Sequence, residues 1–361
     1  MAALTGVASE RRAGAVTAAP VLSRQLRGLM LMGTVSLFAV MLLSVYLMPL
    51  AYAAALSVRG ASVEAGQPLW PSDPAQFTYA GQAYDLYNVP LNGSVRRLAL
   101  FKAGREASTF IDPQAPTQPI EWQGRWRTLD RVWNFSPHWS NFGEAWKITN
   151  FGRLFFNTVA IALIGTVGAV SSAVIVAYGF SRFRIPGKTI LFTILVGTII
   201  LPQQVTIVPT YALFTSIGWV GTWLPLLVPH FFGNAYNVFL LRQFFMSIPR
   251  DMDEAAMIDG AGPFRTLISV IVPQAWPAIT AVCLFHFFFA WNDFLAPLVY
   301  LVGHEELWPI SVGMSYFAGQ YTQLPHLIQA TALMALALPV TIFVLAQRVF
   351  VQGVVVTGVD K

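Results

Sequence analysis

The chain has 361 residues, of which 55% are hydrophobic and 11% charged, under half the roughly 25% charged residues of an ordinary soluble domain. That supply of charge cannot cover a soluble fold of this length, so an ordinary cytosolic enzyme and a disordered chain are excluded. Cys283 is the single cysteine, so an intrachain disulfide scaffold is excluded too. The net charge of +5 acts through its placement around membrane spans; it does not call for a nucleic-acid partner.

A bilayer crossing takes about 20 helical residues. Charge-free runs of that kind cover residues 28–58, 154–181, 189–241 (two spans, divided near 216–221), 266–292, and a stretch between 306 and 348 that reads as helix from about 327. The expected fold is therefore an all-α polytopic membrane protein with six transmembrane helices. Arg11, Arg12, Arg24 and Arg27 precede the first span, and Arg182, Arg184 and Lys188 follow the second. Arg242, Arg250 and Arg265 follow the fourth, and Arg348 and Lys361 the sixth. The positive-inside rule puts both termini in the cytoplasm. The first span ends in Tyr52-Ala53-Ala54-Ala55, which is like a signal-peptide cleavage site. Its apolar run is far longer than the roughly 7–15 residues of a signal core, so it reads as a retained anchor.

Between the first two spans lies an extracytoplasmic insertion, residues 59–153. It combines strand-like runs with turn signals at Asn92-Gly93, Gly104 and Gly124. A small β-rich domain is expected over about 74–130, followed by a helical lead-in around 139–150. The insertion holds Trp70, Trp122, Trp126, Trp133, Trp139 and Trp146. Aromatic faces suit sugar stacking, but a mini-core plus an interfacial belt explains them more simply. A docking surface for an external binding protein is the third reading.

The loop 242–265 between the fourth and fifth spans holds a short helix with its own start and stop. Pro249 suits a first turn, and Asp251, Asp253 and Glu254 place negative charge at the positive helix end. Gly260 and Gly262 end it, and Pro263 starts a second helix. Met252, Ala255 and Ala256 fall at i, i+3, i+4 spacing, which predicts a smooth face for close approach by another protein.

Glu254-Ala255-Ala256 followed by Asp259-Gly260-Ala261 and Ile271-Val272-Pro273 resembles the EAA loop of ABC importer permeases. Phe156-Asn157-Thr158, the run from Ala177 to Arg182, Leu240-Leu241-Arg242-Gln243-Phe244-Phe245 and Trp291-Asn292-Asp293-Phe294 resemble the carbohydrate-uptake, MalG-type permeases. The resemblance covers residues 28–58 and 139–361, and the outer insertion is longer than the subgroup usually has. It implies a permease core at 154–350 that pairs with a second permease as a heterodimer. It further implies a cytosolic ABC ATPase dimer, an extracytoplasmic sugar-binding protein and a bacterial inner membrane. Glu254 would contact the ATPase groove, Ala255 and Ala256 would permit close packing, Asp259 belongs to the same motif, and Gly260 would form the turn. The tails, 1–27 and 351–361, would be cytoplasmic, and the second resembles tails that reach toward the ATPase.

Gly187-Lys188-Thr189 looks like the end of a phosphate-binding loop, but that motif needs glycine where Arg182 stands. The chain is therefore expected to be no enzyme, to hold no cofactor or metal, and to draw on ATP used by its partner. His286 reads as a packed or hydrogen-bonded residue of a span. Asn234 and Asn237 beside Gly233, and Gln203 and Gln204 after Pro202, are the candidates for a neutral substrate path. Interhelical hydrogen bonding is the competing reading for all four. The function so implied is import of a sugar or oligosaccharide by alternating access. Glycerol phosphate would be the nearest other cargo, although the spans offer no Lys or Arg for it. A membrane-anchored binding or assembly protein working through the outer domain leaves the EAA loop unexplained, and a membrane enzyme lacks a catalytic cluster.

Overall fold

The computed structural model describes residues 19–61, 67–91, 93–317 and 324–355. It divides into two units, residues 1–53 and 54–361. The described part of the first is the body of helix α1 (Ala19–Ser57). From Arg27 to Ser57 its mean hydropathy reaches 2.2, and from Leu29 to Tyr52 its large apolar side chains are exposed, the form expected of a helix whose solvent is lipid. The arginines expected before residue 19 and the tail from 356 lie outside the described residues.

The second unit begins with a β-rich part wider than the sequence reading, with strands from Ser72 to Phe135. Strand β1 (Ser72–Pro74) pairs antiparallel with β8 (Trp133–Phe135). Strands β2 (Gln76–Tyr79), β3 (Gln82–Leu91), β4 (Ser94–Lys102), β5 (Ala107–Asp112) and β6 (Ala115–Gln123) form an antiparallel meander in chain order, and β7 (Asp130–Arg131) pairs with β3. Leu91 faces Ser94 across a two-residue turn in which Gly93 takes φ +79°. Asn92 of that turn lies outside the described residues.

Tyr87, Val89, Leu98 and Phe110 form the small core, with Trp122 edge-on to Phe110 and Trp126 edge-on to Tyr87. Those two tryptophans are half-buried and pack against the core, whereas Trp70, Trp139 and Trp146 are exposed. Arg131 pairs with Asp85 and lies over the rings of Tyr87 and Trp133. Burial, with the charge of Asp85 added, pushes the Tyr87 phenol up. Helix α2 (Ser140–Ile148) is the expected lead-in. Its Asn141 amide donates to the carbonyls of Ser57 and Arg59, both at 2.8 Å.

Helix α3 (Phe151–Arg182) organises the rest, because its buried residues enter three separate apolar clusters. Near its start, Phe151, Leu154 and Ala162 pack with Phe287, Trp291 and Ile310. Near its end, Val170, Ala173, Ala177 and Tyr178 pack with Val238, Leu241 and Phe245, and with Ile271 and Ile279. Gly168 permits close approach: a Cβ there would lie 2.7 Å from the ring of Phe231.

Helices α4 (Lys188–Gly197) and α5 (Gln203–Ser216) follow, then α6 (Leu224–Leu227), a 3₁₀ turn (Val228–Phe232) and α7 (Ala235–Ser247). The loop helices α8 (Asp251–Ile258) and α9 (Pro263–Thr266) lead through a π-type stretch (Leu267–Ile271) into α10 (Val272–Gln274) and α11 (Trp276–Asn292). Helices α12 (Leu295–Tyr300), α13 (Ile310–Gly313) and α14 (Pro325–Val355) complete the described chain.

Among the described residues, four stretches are long and apolar enough to cross a bilayer: Arg27–Ser57, Phe151–Arg182, Leu224–Ser247 and Pro325–Gln347. The other two expected spans fall on helix pairs that bend sharply at a short break. Lys188–Ile200 meets Gln203–Ser216 at 102°, and Pro263–Gln274 meets Trp276–Asn292 at 82°. Proline explains where: Pro202 sits at the first bend, and Pro273 and Pro277 flank the second, each removing a backbone donor.

Asn157 and Thr158 fasten the start of α3 to the segment before α13. The Asn157 amide donates to the carbonyls of Glu306 (2.9 Å) and Trp308 (3.0 Å), and the Ile310 N–H donates to Thr158 Oγ1 (2.8 Å). Asn157→Leu leaves both carbonyls without their donor. It is expected to lower stability by about 1–3 kcal/mol, seen as a lower thermal midpoint of the protein in detergent; an unchanged midpoint would show that the clamp contributes nothing.

Candidate functional site

Helix α8 is set off at both ends. Ile248 leaves α7 in an extended conformation, and the N–H groups of Asp253 and Glu254 return to the carbonyl of Arg250 (2.9 and 3.1 Å). At the other end Gly260 takes φ +78°, its N–H bonds to Met257 O (3.0 Å) and that of Ala261 to Ala256 O (2.9 Å). Glycine suits this left-handed position because it has no Cβ to clash. Asp251, Asp253 and Glu254 occupy the first turn, where carboxylates meet the positive end of the helix dipole.

The two faces of α8 differ from the sequence expectation. Asp251, Glu254, Ala255 and Ile258, at i, i+3, i+4 and i+7, form one exposed stripe, with Ile258 87% exposed. Asp259 and Gly260 beyond them are exposed too. Ala256, placed by spacing beside Ala255 on the outward face, is instead buried with Asp253 against the protein's own body. The reason is Arg182. Its Nε lies 2.8 Å from Asp253 Oδ2, with the two side chains only 9% and 10% exposed. Its Nη2 donates to Ile248 O at 3.0 Å. An ion pair formed at the last residue of α3 sets the roll of α8, and a reading of apolar spacing has no access to it. The pairing of Arg182 with Asp253 is what sequence reasoning missed; the available signal was a carboxylate on the short helix with basic residues at the end of a span.

The path candidates separate. Asn237 is buried, and its amide lies 3.2 Å from His286 Nδ1, joining α7 to α11. The His286 ring in turn meets that of His230 edge-on at 4.8 Å. Asn234 caps α7, its Oδ1 accepting from the Asn237 N–H (3.1 Å). Gln203 and Gln204 are exposed at the start of α5, beside the first bend. Among the described residues no hydrogen bond joins either glutamine side chain to the asparagines. Ser172 closes the break before α7: its hydroxyl donates to His230 O (3.1 Å) and accepts from the Gly233 N–H (3.2 Å).

Among the described residues no three His, Cys, Asp or Glu side chains gather closely enough to hold a metal. Long apolar helices, two sharply bent helix pairs and a short exposed-faced helix in the loop after α7 make up a polytopic membrane protein. Residues 169–356 match the model of the binding-protein-dependent transport system inner membrane component, and the chain belongs to that family. Its members are permease components of ABC transporters, non-enzymatic inner-membrane subunits with several spans that work with an ATPase and a binding protein.

Similar proteins include the osmoprotective compounds uptake permease GgtD of Synechocystis sp., 31% identical over 76% of this chain and 92% of its own length. The sn-glycerol-3-phosphate permease UgpE of Rhizobium meliloti is 34% identical over 57% of this chain and 73% of its own. The alpha-glucoside permease AglG of the same organism is 26% identical over 61% and 59%. The fold is shared with a chain of a bacterial ABC transporter involved in the import of the acidic polysaccharide alginate, with TM-score 0.62 and 19% identity over 90% of this chain and 97% of that one.

The contact between Asn237 and His286 gives a quantitative check. A double-mutant cycle of Asn237→Ala and His286→Ala, read by unfolding in detergent, is expected to show a coupling of about 0.6 kcal/mol and at most about 1.7. Zero coupling would return Asn237 to the list of free polar groups.

Proposed function

We propose that this chain is one of two permease subunits, paired as a heterodimer, in a bacterial importer for a sugar or oligosaccharide. A cytosolic ABC ATPase dimer drives it, and an extracytoplasmic sugar-binding protein supplies it. The observation that carries the reading is the free stripe of α8, Asp251, Glu254, Ala255 and Ile258, in a chain of this family. Glu254 makes polar contact with the ATPase, Ala255 lets the surfaces approach, and Ile258 adds an apolar anchor, while Asp259 and Gly260 shape the turn. Ala256 acts from the other side of the helix by allowing it to lie close to the permease body.

In this reading six spans cross the inner membrane, two of them broken, with both termini cytoplasmic and the β-rich insertion outside. ATP, bound and hydrolysed by the partner and not by this chain, closes the ATPase dimer. The coupling helices approach one another, the paired permeases open outward to receive sugar, and hydrolysis resets them. Asn234, Gln203 and Gln204 supply exposed amides along the path, and Asn237 supports it through His286. A neutral cargo is favoured because the charge-free runs of the spans hold no Lys or Arg to pair with a phosphate. The names of the relatives include an alpha-glucoside and a diacetylchitobiose permease beside sn-glycerol-3-phosphate permeases, so the sugar reading fits them and the phosphate cargo is not better supported.

The test is purification of the protein from mild detergent, wild type beside Glu254→Arg. Wild type is expected to bring down a P-loop ATPase and a second permease, and the variant to keep the permease and lose the ATPase. A wild-type protein that brings down no ATPase would overturn the reading.

A further inference from the structure

We propose that the buried Arg182–Asp253 ion pair is the tether that makes α8 and α3 move as one body, so that both are positioning residues for transport. This rests on the reading of α8 as the helix the ATPase moves. Neither end of α8 continues as helix into a span. Pro249 and the extended Ile248 interrupt it on one side, and Gly260 and Gly262 on the other. Turns of this kind transmit little force, so displacement of α8 reaches the spans through side chains. The outward stripe belongs to the partner, which leaves the inward face. There Ala256 offers one methyl group and Asp253 offers a charge.

Asp253 meets Arg182, and among the described residues this is the single ion pair between α8 and a membrane-spanning helix. The same guanidinium holds Ile248 O, at the end of α7. One side chain therefore gathers the ends of α3 and α7 and the coupling helix. Its charge is shielded from water, and a pair in such surroundings attracts more strongly than an exposed one. Losing either partner would leave the other buried and uncompensated. Behind Arg182, α3 reaches through the packed cluster of Val170, Ala173, Ala177 and Tyr178 to α7 and α11. A pull on residue 182 is therefore a pull on the bundle.

The test places nitroxide labels at Met257→Cys on α8 and Val167→Cys on α3, both exposed positions, in a Cys283→Ser background. The labelled protein is studied in its complex with the second permease and the ATPase, without nucleotide and after trapping with ATP and vanadate. With the pair intact, the 257–167 distance is expected to stay a single narrow distribution through trapping. In Asp253→Asn, and independently in Arg182→Gln, trapping is expected to shift or broaden it. Exchanging the charges, Arg182→Asp with Asp253→Arg, is expected to restore it.

Single variants that keep the wild-type distribution through trapping would overturn the tether and leave the importer reading standing. Single variants that fail to assemble and are not rescued by the exchange would overturn it as well, since the pair would then be a folding contact only. A wild-type protein that captures no ATPase would remove both readings together.

Discussion

The structure depends on one constraint: inside a hydrocarbon layer there is no water to accept or donate the hydrogen bonds that a broken helix releases. At two interruptions of the apolar elements, a side chain of α3 takes over the freed backbone groups. Ser172 on α3 serves both the carbonyl of His230 and the N–H of Gly233 where the 3₁₀ turn gives way to α7. Asn234 then starts the new helix by accepting from Asn237. At the other end of α3, Asn157 and Thr158 satisfy three backbone groups of the segment around Trp308. Helix α3 is unbroken through its 32 residues and supplies most of these partners.

The two ends of α3 are thereby given different tasks. The first is fixed by neutral hydrogen bonds to irregular backbone, which resist displacement because each lost bond strands a polar group. The last residue, Arg182, instead pairs its charge with Asp253 of α8, far along the chain. A cation there also suits the negative end of the α3 dipole. The bundle thus has one end clamped by neutral hydrogen bonds and one end joined to α8 by an ion pair, with the stripe of α8 from Asp251 to Ile258 exposed.

What the amino-acid order made legible follows from how local each signal is. Charges bounding apolar runs located the long helices within a few residues, because span ends are set where water returns. Pro249 and Gly260 marked α8 for the same local reason. The bends near Pro202 and between Gln274 and Trp276 were not read, since a charge-free run contains no mark of a change of direction beyond its prolines. The roll of α8 was misread at Ala256 because the deciding contact, Arg182 to Asp253, spans 71 positions of sequence. The division of the tryptophans into core-packed (Trp122, Trp126) and exposed (Trp70, Trp139, Trp146) likewise depends on strand pairing that composition does not contain.

The β-rich part between α1 and α3 is joined to the rest of its unit through a narrow neck. The family match begins at residue 169, well past it. Three contacts close its neck. Strand β1 pairs with β8, His138 Nε2 lies 2.8 Å from Asp73 Oδ2, and Asn141 holds the carbonyls of Ser57 and Arg59. The chain therefore enters and leaves the insertion at nearly one place, and the meander beyond it has its own apolar centre around Phe110. A domain attached through so narrow a neck adds little strain to α3, because lengthening a loop whose ends are already together changes its closure entropy only slowly. The same closure delivers α2 directly to the start of α3, the helix whose buried residues enter three of the apolar clusters.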